Sequence, residues 1–401
     1  MSAYAIQSDN IVTFEGTSGV TDGFIVVKDG LIREITQRKP LNIPCYTAAG
    51  MTVTPGLIDA HTHLVHAGSR ENELADKLSG VPYMDILKKG GGILSTVRAT
   101  RTASIEELKD KARKSLDIML AHGTTTVEAK SGYGLDIHTE LKQLKAAKEL
   151  NGEHPIDIIS TYMGAHAMPP EYKDNRRGYL DLMINEVMPK VTDAAFVDVF
   201  CEDGAFYLDE TREILQAAKA LGFGVKLHAD EIEPMGGAEL AAELGAVSAE
   251  HLLKTSDAGI EALAQAGVSA VLLPATSFYL MTGSFARARD MINAGVNIAL
   301  ATDYNPGSCP TENLQAVMTF AAFGMGLMPI EIIRAMTSGA AKALGLTDRG
   351  AIKPGLKADL VIFGTPNIDY IVYHFGLNHV HSVIKDGIFV KGGLHADRYD
   401  C

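Results

Sequence analysis

Eight short apolar runs, each followed by a segment of helical period, constrain this chain more than any other feature. The runs lie at 57–64, 124–129, 156–163, 196–201, 224–229, 246–250, 268–273 and 296–302. Short, nearly continuous apolar runs suit strands buried on both faces, as in parallel sheets. The spacers carry helix punctuation. Ser104-Ile105-Glu106-Glu107 is a capping box that opens a helix running to about Ala121 and stopping at Gly123. Asp209–Leu221 ends at Gly222 and Asp257–Ala266 at Gly267, each with the glycine expected just past a helix C-terminus. Eight β-then-α units predict a closed (β/α)8 barrel, with a doubly wound open sheet as the less favoured alternative.

The two ends of the chain read differently. Ile11–Phe14, Gly23–Val27 and Leu31–Ile35 are β-rich, with Lys28-Asp29-Gly30 as a hairpin turn. Asp359–Phe363, His381–Lys385 and Ile388–Val390 repeat the pattern, with Asp386-Gly387 as a second turn. The expectation is an α/β protein in two parts. A (β/α)8 TIM-like barrel takes 55–346, and a small β-sandwich domain is assembled from 1–54 and 347–401.

Composition excludes several functions. With 36 Lys and Arg against 49 Asp and Glu, the net charge is −13, which argues against a nucleic-acid partner. The first residues, Met1–Asp9, lack the basic and apolar regions of an export signal, and no apolar stretch reaches 18 residues. Cys45, Cys201, Cys309 and Cys401 are scattered and form no CxxC pair. Together these predict a reduced, cytoplasmic protein with no membrane span and no disulfide.

The strongest chemical signal is Pro55-Gly56-Leu57-Ile58-Asp59-Ala60-His61-Thr62-His63. Residues i and i+2 of a strand share a face, so His61 and His63 both point into the mouth of a barrel. His228 ends the fifth run and Asp303 the eighth. Active sites of barrels form at the C-terminal ends of the strands, which gathers three imidazoles and a carboxylate around one point. That donor set suits Zn2+, and equally Fe2+ or Mn2+. His251 ends the sixth run and is the candidate general base, with an intrinsic pKa suited to that work. Asp303 is a second candidate acceptor for the proton of an attacking water. Arg70, on the loop after His63, offers a planar fork for a carboxylate.

His61-x-His63, His228 and Asp303 resemble the ligand pattern of the amidohydrolase superfamily. Longer segments narrow the likeness. Leu64–Glu73, Gly90–Arg98, Lys130–Leu135, Gly164–Ala167, Asp230–Ile232, Ala249–Leu252 and Ala301–Ser308 resemble the imidazolonepropionase family, and the likeness runs from about residue 10 to 390. The resemblance implies hydrolysis of the cyclic amide of 4-imidazolone-5-propanoate to N-formimidoyl-L-glutamate in histidine degradation. It implies that Arg70, Tyr133, His166 and Glu231 contact the substrate and that Asn305, Gly307 and Ser308 line the product side. It gives His251 the proton-shuttle role, with Glu231 and Asp303 as its catalytic companions. A homodimer is expected. Binuclear relatives carry a bridging carbamylated lysine on the fourth strand; Phe196–Glu202 has no lysine, so one metal ion per chain is expected. A deaminase of a purine, cytosine or similar heterocycle is the alternative with the same ligands, and Arg70 argues against it. Gly90-Gly91-Gly92 lacks the Gly-Lys-Ser/Thr of a phosphate loop and reads as a mobile loop near the substrate entrance.

Overall fold

In the computed structural model, which describes residues 3–16, 19–81, 85 and 90–397, the strands fall into two sheets. Five come first: β1 (Tyr4–Val12), β2 (Val20–Lys28), β3 (Leu31–Thr36), β4 (Cys45–Thr47) and β5 (Thr52–Pro55). Eight follow: β6 (Leu57–Asp59), β7 (Thr124–Lys130), β8 (Asp157–Ala165), β9 (Phe196–Cys201), β10 (Gly224–Ala229), β11 (Ser248–His251), β12 (Ser269–Leu272) and β13 (Ile298–Leu300). The last four are β14 (Leu360–Phe363), β15 (Val380–Lys385), β16 (Ile388–Lys391) and β17 (Ala396–Asp397).

β6 to β13 pair in chain order, and every adjacent pair is parallel. The ring closes between its first and last strands. The Asp303 N–H donates to the His61 carbonyl at 3.0 Å and the His63 N–H to the Tyr304 carbonyl at 2.9 Å. The Asp59 carboxylate accepts from both the N–H (3.0 Å) and the hydroxyl (2.7 Å) of Thr302. The result is the expected eight-stranded barrel, one strand for each apolar run. β6 and β13 are shorter than their runs, because beyond Asp59 and Leu300 the closing bonds replace a regular ladder. Closure therefore places His61, His63 and Asp303 side by side at the mouth.

The helices begin and stop where their caps direct. Ser104 Oγ accepts from the Glu107 N–H (3.2 Å) and Glu107 Oε2 accepts from the Ser104 N–H (2.7 Å), opening Ile105–Ala121. Asp257–Ala266 ends on Gly267, whose φ of 71° is left-handed. The helix expected at Asp209–Leu221 runs Leu208–Ala220, because Glu210 accepts from the Tyr207 N–H one residue earlier.

The second sheet has the order β16-β15-β14-β5-β1-β2-β3, with β4 beside β1 and β17 beside β4. β5 lies antiparallel to β14, so strands from both ends of the chain share it. β1 begins at Tyr4 and not at Ile11. Its polar Gln7-Ser8-Asp9-Asn10 stretch masks the strand, and the register shifts between Ser8 and Ile11. Phe14, at φ 62°, lies beyond the strand. Asp29 and Gly30 have φ of 53° and 77°, the paired positive values of a tight hairpin. β4 and β5 escaped the sequence reading because both are short and neither alternates. The helix Ile368–Tyr373, between β14 and β15, buries Ile368, Ile371 and Val372 in the barrel's core.

Cys45, Cys201 and Cys309 are buried and unbridged; Cys401 lies outside the described residues. Among the described residues no helix is long and apolar enough to cross a membrane.

Candidate active site

The floor of the barrel is charged. Glu128 and Lys130 on β7, Asp198 on β9, Lys226 on β10 and Glu250 on β11 all have side chains with 0% exposure. Lys130 Nζ lies 3.0 Å from Glu128, 2.7 Å from Asp198 and 3.0 Å from Glu250. Lys226 Nζ lies 2.8 Å from Glu128 and 2.9 Å from Glu250. Ions this deep persist only when each is paired closely enough to offset its lost hydration. Two lysines face three carboxylates, so the floor carries one surplus negative charge.

That charge reaches the histidines above it. Glu250 contacts His61 Nδ1, and Asp198 lies 3.1 Å from His228 Nδ1. Contacts of this kind fix the imidazole tautomer and leave the opposite nitrogen as the donor. His228 Nε2 is buried with no hydrogen-bond partner among the described residues. Burial works against a charged His61, yet Glu250 and Asp303 together lift the imidazole to about 9. Burial also works against ionised Asp303, but His61, through its hydrogen bond and charge, and Thr276 hold its carboxyl down at about 2. The centre thus attracts positive charge.

Each of His61, His63 and Asp303 offers one ligating atom within 4.8 Å of the others, and so does each of His61, His228 and His251. Asp303 Oδ1 is 3.3 Å from His61 Nε2 and 3.7 Å from His63 Nε2. Asp303 adds to the surplus charge of the floor, and the raised His61 imidazole is the positive charge that answers it in the metal-free centre. The buried, unpartnered nitrogen of His228 and this charge balance fit a divalent metal. The His251 ring centroid lies 5.6 Å from that of His61 and 5.1 Å from that of His228.

Two residues here hold strained backbone. Asp303 and His251 have φ of 57° and 70°, a region L-residues rarely occupy and which costs about 1–3 kcal/mol each. Barrel closure holds Asp303 there, and Thr276 Oγ donates to its Oδ2 at 2.8 Å. His251 is neutral, because burial and then the neighbouring His228 and His61 depress its pKa well below the usual value against the opposing pull of Asp303 and Glu250. Glu231 Oε1 lies 3.4 Å from its Nδ1. The Glu231 carboxyl is raised to about 8 by burial, with Asp303 and Glu202 adding negative repulsion.

A cavity of about 600 Å³ opens over this centre, and all the residues singled out in the sequence for substrate or product line it: Arg70, Tyr133, His166, Glu231, Asn305, Gly307 and Ser308. His166 stacks on His63 with centroids 4.7 Å apart, and Tyr133 packs 5.2 Å from His166. Asn305 Oδ1 accepts from the N–H groups of Gly307 and Ser308, both at 2.8 Å. Arg70 is held by Glu73 through Nε (3.0 Å) and Nη2 (2.8 Å). The Gly92 N–H donates to the same carboxylate at 2.8 Å, and Ile93 and Leu94 line the cavity, so the glycine run does sit beside it.

Sequence reasoning missed the charged floor, Thr276, Glu73 and Lys77. The floor had a signal: Glu128/Lys130 and Lys226/His228 are i, i+2 pairs inside apolar strand runs, so each pair shares one face. The ammonium groups of Lys130 and Lys226 are both committed to carboxylates.

A parallel barrel with histidines and an aspartate gathered at its C-terminal mouth defines a metal-dependent hydrolase of the amidohydrolase class, and residues 52–390 match the amidohydrolase family. The imidazolonepropionase of Treponema denticola is 57% identical over 384 residues, covering 93% of each chain. That of Fusobacterium nucleatum is 57% identical over 394 residues, covering 96% of this chain and 94% of the relative. The chain belongs to the imidazolonepropionase family. Among solved structures, a 5-methylcytosine deaminase from Klebsiella pneumoniae shares the fold, with a TM-score of 0.76 at 18% identity over 98% of this chain and 100% of that one.

Proposed function

We propose that the chain hydrolyses the ring amide of 4-imidazolone-5-propanoate to N-formimidoyl-L-glutamate, a step of histidine degradation. The observation that carries this reading is Arg70 on the wall of the cavity that His63, His228 and Asp303 also line. A guanidinium there meets the propionate while the ring lies over the histidines.

His61, His63, His228 and Asp303 would hold one Zn2+ or Fe2+. Such an ion supplies a Lewis acid that brings the pKa of water toward neutrality and polarises a carbonyl. The chain's own residues do the rest. Water attacks the ring carbonyl carbon, and neutral His251 accepts its proton, with Asp303 as the second acceptor nearby. The bond between that carbon and the ring nitrogen breaks, and the proton returns to the departing nitrogen. The carbonyl carbon becomes the new carboxylate. Glu231, protonated at neutral pH, donates to the ring and steadies His251. Tyr133 and His166 pack the ring, and the Asn305–Ser308 turn borders the product. The chain works as a cytoplasmic homodimer.

Gly307 tests the carboxylate anchor. A Cβ added there meets Arg70 Nη1 at 2.1 Å, with no room to spare. Gly307→Ala should push the guanidinium aside and raise KM by about tenfold or more, the size of a lost charged hydrogen bond, with a smaller change in kcat. An unchanged KM removes Arg70 from the role.

The deaminase alternative has no use for Arg70, since a neutral base offers no carboxylate. Purified protein should consume imidazolone-propionate, followed by loss of its absorbance, and leave adenine, cytosine and related amines intact. Preferential release of ammonia from one of those amines would reverse the assignment.

A further inference from the structure

The cavity wall carries a second cation. Lys77, on the short helix Leu74–Leu78, lines the same cavity as Arg70 with a side chain 14% exposed. Its ammonium donates to the Gly307 carbonyl at 2.6 Å and sits 5.4 Å from the centre of the Tyr279 ring. Gly307 is also where Arg70 Nη1 makes its close approach. The two cations therefore converge on one residue, 230 positions away in sequence from Lys77.

Their shared counter-ion is Glu73. It takes Arg70 through two hydrogen bonds and lies 3.8 Å from Lys77. Glu73 stands against both cations, so its one carboxylate is shared between them. Burial, and then the charge of Arg70, hold Lys77 below the usual lysine range, which a further carboxylate would relieve. An ammonium has three donors, and Gly307 takes one.

We propose that Lys77 is a second anchor for the substrate's carboxylate and sets the preference for an acidic side chain on the ring. This rests on the imidazolone reading above. Arg70 supplies a planar fork and Lys77 a point charge, so the anion is gripped from two directions. A ring with an uncharged side chain makes neither contact and is bound less well.

The test compares kcat/KM for imidazolone-propionate with that for the 5-ethyl imidazolone, which lacks the carboxylate. Wild type, Lys77→Met, Lys77→Gln and Lys77→Arg are measured on both. In the Met and Gln variants the preference for the acid should fall by about tenfold to a hundredfold, mainly through KM. Lys77→Arg should keep most of it. The ratio does not depend on how much of each variant folds. An unchanged preference in both neutral variants overturns the proposal. A wild-type protein that turns over neither compound overturns the functional reading itself, and this inference with it.

Discussion

His251→Ala should lower kcat by about a hundredfold to ten-thousandfold, the range of a lost general acid–base group, and still bind one metal ion per chain. Three observations set the expectation. His251 ends β11 at the mouth, its imidazole is held neutral by burial, and Glu231 stands 3.4 Å from its Nδ1. A neutral imidazole accepts a proton; a charged one does not. The surrounding structure holds its backbone at a left-handed φ of 70°. The metal measurement belongs with the kinetics, because His251 also lies within ligating reach of His61 and His228. A variant that loses its ion makes His251 a ligand and transfers the base role to Asp303.

Lys130→Met is the second large effect, and it acts on stability. The change strips the ammonium from among Glu128, Asp198 and Glu250, which lie within 2.7–3.0 Å of it at 0% exposure. Removing one partner of a buried ion pair costs about 3–5 kcal/mol, because the charge left behind is neither hydrated nor matched. For a chain of this size the thermal midpoint should fall by roughly 4–6 °C, read by calorimetry. The metal effect should also grow. With the floor more negative, a bound dication offsets more repulsion, so the gap in midpoint between metal-loaded and metal-free protein should widen. An unchanged midpoint contradicts the charge balance assigned to the floor.

Much of the molecule was legible in the sequence because its signals are local. Eight apolar runs mark eight strands. Strand parity alone puts His61 and His63 on one face, and the ends of the fifth and eighth runs supply His228 and Asp303. What stayed hidden depends on closure. Lys77 meets Gly307 only because the loops after the first and last strands fold over the same mouth. Glu73 reads as a solvated loop acid until Arg70 and Gly92 are seen to share it. The floor charges sit in plain view within apolar runs, but their pairing crosses β7, β9, β10 and β11. The small strands β4 and β5 have too few residues to show a period, and polar Gln7–Asn10 conceal the start of β1.

The central claim is a single divalent ion among His61, His63, His228 and Asp303 that makes the cavity hydrolytic. It is tested most directly by stripping the protein of metal and titrating Zn2+ or Fe2+ back while following imidazolone-propionate turnover. Activity should rise linearly and break at one equivalent per chain. A break at two equivalents, or full turnover with none, would contradict it.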